Sequence, residues 1–211
     1  MWAVSEKVLQ VVGMEDIKEI ILDKARERFD RFGYKKTTMD EISRDCRISK
    51  KTVYEHFRDK ENLFNSLYLR ECRSARDTIF ARMGDVADPL DRLIRLLRTA
   101  IGYFNEDNFL TRLLRDDYAL FAACFTSEHQ RLMDDELIAI IAGMINDGKL
   151  QGRIRAVDAE IVAYAGLKLF EAFSYMRTTR FSAEREDQEY YTEVLVDFIV
   201  HALTGRSASA G

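Results

Sequence analysis

The sequence predicts an all-α protein of about nine helices, and three observations carry that prediction. Apolar residues recur at three- and four-residue spacing along almost the whole chain, with no stretch of strict alternation. The 211 residues contain one Pro and ten Gly, so little interrupts the helical pattern. Where interruptions occur, they coincide with residues that start or stop helices for a physical reason.

The first helix is expected from about Glu15 to Phe32, with Ile17, Ile20, Ile21, Ala25, Phe29 and Phe32 forming its apolar stripe and Gly33 its stop. The second opens at Thr38, where Thr-Met-Asp-Glu fits a capping box closed by Glu41, and ends near Cys46. Ser49 caps a third helix that reaches about His56. A long fourth helix follows Asp59 and stops at Met83, before Gly84. The fifth opens at Asp88-Pro89, a cap followed by Pro at the first helical position. The sixth covers about Asn108 to Ala123. The seventh opens at Ser127, with Gln130 completing a second capping box, and closes at Gly148. The eighth runs from Asp158 to about Thr178, and the ninth follows Ser182 and ends at Gly205.

Composition excludes several classes of function. Lys and Arg number 32 against 36 Asp and Glu, a net charge of −4, which argues against general coating of nucleic acid. The charge is unevenly spread: Arg31 to Lys60 carries nine basic and five acidic residues, a local +4. No apolar run reaches the ~20 residues of a membrane span. Cys46, Cys72 and Cys124 are widely spaced without a CxxC pair, so reduced thiols are expected in a reducing cytoplasm, with neither a disulfide framework nor a zinc site. Residues 1–14 lack the basic start and cleavage site of a signal peptide and are expected to be a leader. The nucleotide-binding, hydrolase and metalloprotease motifs GxGxxG, GxSxG, HExxH and the P-loop are absent. His56, His129 and His201 belong to no constellation, so no catalytic residue, metal or cofactor is expected.

The stretch TMDEISRDCRISKKTVYEHF, residues 38–57, is two short capped helices joined by a tight turn at Cys46-Arg47-Ile48. Ile42, Cys46, Ile48 and Val53 can pack them together, and the small Ser43 permits close approach. A helix-turn-helix places its second helix in a DNA major groove. Here that helix offers Lys50, Lys51 and Thr52 at its N-terminal end, where free N–H groups also favour a phosphate. Spacing alone fits equally well an αα-corner inside a helical bundle.

The run from Ile17 to Leu63 resembles the DNA-binding domain of TetR-family transcriptional regulators. The resemblance rests on Ala25 and Phe29, Phe32-Gly33-Tyr34, Thr37-Thr38-Met39, Ile42, Ile48 to Phe57, and Lys60 to Leu63 in order. It departs from the family at Arg47, where Gly is usual, and at Ser43, where Ala is usual. The resemblance implies a phosphate contact for Thr38, base and backbone contacts for Lys50, Lys51 and Thr52, backbone contacts for Tyr54 and His56, and a phosphate clamp at Lys60. Phe57 and Leu63 fall to the core. It also implies a repressor of double-stranded operator DNA released by a small-molecule effector; an activator of the same fold and a helical interaction module are the alternatives.

The implied domains are a helix-turn-helix domain at 15–62, a ligand-binding and dimerisation domain at 63–205 and a tail at 206–211. Between Ile161 and Met176 only Lys168 and Glu171 are charged, so that helix must be covered on more than one side. Ala165 and Gly166 would let another helix approach. With the broad apolar face of the ninth helix, this fits a homodimer joined through the last two helices. Phe104, Phe109, Arg112, Tyr118, Phe121, Phe125 and Met144 are the candidate effector contacts, although aromatics at helical spacing fit plain core as well. Asp134-Asp135-Glu136 is expected to be a solvated helix surface.

Overall fold

The computed structural model describes residues 14–104, 107–116, 128–176 and 188–205. Among them every regular element is a helix: α1 Met14–Phe32, α2 Met39–Cys46, α3 Lys50–His56, α4 Lys60–Met83, α5 Pro89–Tyr103, α6 Phe109–Asp116, α7 Glu128–Leu150, α8 Ala159–Met176 and α9 Gln188–Thr204. Six of the starts are set by side chains that accept from orphan backbone N–H groups, among them Asn108 at α6 and Asp158 at α8. Thr38 caps α2 with the full capping box, Ser49 caps α3, Asp59 caps α4, and Asp88 caps α5 ahead of Pro89. The expected continuation of α6 to Ala123 and the cap at Ser127 lie outside the described residues.

Two cores result. One gathers Ile17, Ile21, Leu22, Ala25 and Phe29 of α1 with Met39, Ile42, Val53, Phe57, Leu63, Phe64 and Leu67, and reaches Phe109 and Leu110 of α6. The other joins α5, α7, α8 and α9 around Leu93, Ala142, Ile145, Ile154, Ala163 and Leu203. The long α4 runs between them, packed on α1 at one end and on α5 further along.

The stripe expected on α1 is corrected at two positions. Ile20 and Phe32 are 41% and 45% exposed, while Leu22 is buried. At ~100° per residue Ile20 and Leu22 point nearly opposite ways, and the core is on the Leu22 side. Phe32, the last residue of α1, projects past the core and lies against the Arg28 and Arg31 guanidinium groups. α7 is corrected at its end: it continues through Gly148 to Leu150 and turns at Gly152, φ +68°. Gly148 instead permits close packing, because a Cβ there would stand 2.5 Å from Cδ1 of Ile154.

Outside both cores, Ile161 and Tyr164 of α8 and Tyr190, Val194 and Phe198 of α9 are exposed. Residues 190, 194 and 198 recur every four positions and so form one stripe along α9. Ala165 is exposed on α8, whereas Gly166 faces the protein interior and lines a cavity. Cys46 and Cys72 are free thiols whose pKa values burial pushes up to about 11 and about 12. Cys124 lies outside the described residues. No described helix is long and apolar enough to cross a membrane.

Candidate nucleic-acid interface

The interface is built on a tightly fixed α2. Thr38 Oγ1 accepts from the Glu41 N–H at 3.3 Å, and Glu41 Oε2 accepts from the Thr38 N–H and hydroxyl, both at 2.9 Å. Those bonds hold the Glu41 carboxyl below its ordinary pKa, with Arg28 adding to the effect. Arg28 of α1 reaches across to Glu41 at 3.2 Å and Asp45 at 2.5 Å, pinning α2 to α1. The buried Ser43 donates to the Asp40 carbonyl, so its hydroxyl carries no orphan cost.

The turn to α3 is a Schellman motif. The Arg47 N–H donates to the Arg44 carbonyl and the Ile48 N–H to the Ser43 carbonyl, both at 3.1 Å. Arg47 itself is left-handed, φ 56° and ψ 34°. An L-residue with a Cβ pays roughly 1–2 kcal/mol there, which the usual Gly would avoid. Ser49 then caps α3, accepting from the Thr52 N–H at 3.0 Å with its hydroxyl 2.9 Å from that of Thr52.

Each expected contact residue can now be placed. Lys50, Lys51 and Tyr54 stand exposed on α3, while Thr52 and His56 are half-buried. Val53 and Phe57 are buried and hold α3 to the core. Thr38 is exposed at the start of α2. Both lysines have acidic neighbours not anticipated from the sequence: Lys50 pairs with Asp40 of α2, and Lys51 lies 3.8 Å from Glu55. The Lys51–Glu55 spacing of four residues on one helix was a readable signal; the Lys50–Asp40 pair, between two helices, was not.

Lys60 is placed differently from a free phosphate clamp. Its ammonium donates to the carbonyls of Tyr34 and Thr37, at 3.1 and 3.0 Å, and lies 4.3 Å from the centre of the Tyr34 ring. Burial lowers its pKa. It therefore staples the α1–α2 connection to the start of α4, with the buried Thr37 hydroxyl closing the same loop onto the Gly33 carbonyl. Lys60→Ala leaves two carbonyls without this partner and is expected to cost about 1–3 kcal/mol. A lower melting temperature of the DNA-free protein checks this, since a side chain serving only as a phosphate contact would leave it unchanged.

The candidate effector contacts divide. A cavity of about 270 Å³ lies among α4, α5, α6, α7, α8 and α9, with Phe104 in its wall beside Ile79, Leu93, Ile145 and Phe170. Phe109, Arg112 and Met144 do not line it. Phe109 is buried against the N-terminal core beneath the Arg26 guanidinium, 4.8 Å from the ring centre. Arg112 binds both carboxylate oxygens of Asp30, at 2.7 and 2.9 Å, so it joins α6 to α1. Met144 packs in the second core. Tyr118, Phe121 and Phe125 lie outside the described residues. Asp134 is not on a solvated surface as expected: it is buried and binds Lys168 at 2.6 Å, while Asp135 and Glu136 are exposed. Among the described residues no cluster of His, Cys, Asp and Glu is placed to hold a metal ion.

Residues 21–67 match the family described as bacterial regulatory proteins, tetR family. The HTH-type transcriptional regulator YhgD of Bacillus subtilis is 29% identical over 163 residues, 76% of this chain and 83% of that protein. A TetR-family transcriptional regulator from Syntrophomonas wolfei shares the fold at a TM-score of 0.70 and 18% identity, over 93% of this chain and all of that one. AibR, crystallised with isovaleryl coenzyme A and operator DNA, aligns at a TM-score of 0.57 and 22% identity, over 89% and 98% of the two chains.

Proposed function

Because the chain belongs to the TetR family of DNA-binding transcriptional regulators, we propose that it is a homodimeric repressor released from its operator by a small molecule. The observation that carries the DNA-reading part is the exposed edge of α3, Lys50, Lys51 and Tyr54, held by a capped turn inside a patch of local charge +4. In helix-turn-helix docking the N-terminal end of the second helix meets base edges. Successive helix residues point ~100° apart, so Lys50 and Lys51 cannot address the same base pair. Asp40 draws Lys50 toward α2, which leaves Lys51 as the reader and gives Lys50, Thr38, Tyr54 and His56 to the backbone.

The test is a competition between a duplex selected by the protein from a random library and a scrambled duplex. Lys51→Ala is expected to narrow the affinity ratio by about 1–3 kcal/mol, the value of one base contact. Lys50→Ala is expected to weaken both duplexes alike and to flatten the log–log salt slope by roughly 0.9 per lost contact. A ratio unmoved by Lys51→Ala would place base readout elsewhere.

Homodimerisation accounts for the exposed apolar residues of α8 and α9, which the same residues of a partner would cover. Release follows from α6. Leu110 and Thr111 line the cavity, while Phe109 and Arg112 of the same helix hold α1. A ligand that favours a different seat for α6 favours a different posture of the DNA-binding domain, and two such domains out of register lose the operator.

A further inference from the structure

We propose that the cavity takes an apolar ligand bearing a single positive charge, an alkylammonium in chemical class, with its head at Glu171; this rests on the reading of the cavity as the effector site. The wall is mostly Leu, Ile, Val and Phe, and its charged residues are Arg76, Asp134 and Glu171. The Arg76 guanidinium is turned to surface carboxylates, Glu136 at 2.8 Å and Asp77 at 3.1 Å. Neither of those carboxylates lines the cavity.

Asp134 and Glu171 share one ammonium. Lys168 Nζ stands 2.6 Å from Asp134 Oδ2, and 2.9 and 3.2 Å from the two oxygens of Glu171. Asp134 thus has the shorter contact, and Glu171 has part of a cation. Burial raises the pKa of Glu171, and the hydrogen bond from Lys168 offsets this only in part. A carboxylate in an apolar wall with a shared counter-ion is stabilised by a second cation brought to it. An anionic head at the same place would meet two carboxylates balanced by only the one Lys168 ammonium. Phe170, next along α8, and Phe104 pack at 5.9 Å and offer the cation aromatic surface in the same wall.

The size of the cavity selects the probe. A cavity of about 270 Å³ with a mostly aliphatic wall suits a probe with an octyl tail. Isothermal titration of the full chain with n-octylammonium, n-octanol and n-octanoate compares three heads on one tail. Octylammonium is expected to bind about tenfold more tightly than octanol, a difference worth one decade of Kd, and octanoate most weakly. Failure of all three to bind would overturn the effector-cavity reading and the proposal with it. Octanol or octanoate binding as tightly as octylammonium would leave the cavity reading standing and overturn the charged head. Glu171→Gln is expected to lower the octylammonium-to-octanol affinity ratio about tenfold. An unchanged ratio would overturn the assignment to Glu171, and the three-probe comparison on the unaltered protein decides the ligand class whatever the variant's stability.

Discussion

Phe198→Glu is expected to convert the protein from a dimer to a 24.5 kDa monomer and to cost more than 100-fold in operator affinity. Phe198 is 58% exposed in the single chain, at the end of the stripe formed by Tyr190 and Val194; Ile161 and Tyr164 of α8 are exposed as well. A carboxylate there costs the folded monomer little, because it stands in water. In a two-fold interface the same substitution sets two carboxylates in an apolar seam without partners, which is strongly unfavourable. Losing the second DNA-binding domain then removes the multivalent gain of ~10²–10⁴ that joining two sites provides. Light scattering reads the mass and anisotropy the affinity. A variant that remains dimeric would move the interface off α8 and α9, and a monomer that keeps operator affinity would remove the need for a dimer.

Phe64→Ala is expected to destabilise the N-terminal core by about 3–5 kcal/mol, the usual cost of emptying a buried aromatic site. Phe64 is buried where α4 meets α1, with its ring 5.8 Å from Phe29, 5.0 Å from Tyr34 and 6.4 Å from Tyr68. Total stabilities of ~5–15 kcal/mol leave little margin for such a loss. The loss should also reach Lys60, whose ammonium rests on the Tyr34 ring that Phe64 supports. Urea denaturation followed by circular dichroism measures the change. A loss below ~1 kcal/mol would mean that the site collapses around the smaller residue.

What the sequence disclosed was what is local. Thr38, Ser49 and Asp88 were legible as caps because a cap and its N–H partners lie within three residues. The exposed edge of α3 was legible for the same reason. Partners far apart in the chain were not. Arg112 was assigned to the cavity, but its carboxylate partner, Asp30, is 82 residues away. Asp134 read as surface because its neighbours Asp135 and Glu136 are surface, and nothing near it announces Lys168, 34 residues on. Lys60 looked free because its acceptors are backbone carbonyls, which carry no side-chain signal. Phe32 matched the apolar period of α1 but stands beyond the end of its core.

The two-sided α6 has an evolutionary consequence. Eight residues carry both a stretch of the cavity wall, through Leu110 and Thr111, and the anchor on α1, through Phe109 and Arg112. If the cavity holds the proposed inducer, a lineage drifting toward a new one by changing Leu110 would disturb the seat of its neighbour Phe109 and alter regulation in the same mutational step. Under the proposed function, inducer range can vary independently only from walls that do not touch the DNA-binding domain, such as Ile145 on α7 and Phe170 on α8. Descendants of this protein should therefore diversify their chemistry at α7 and α8 and leave the α6 wall comparatively still.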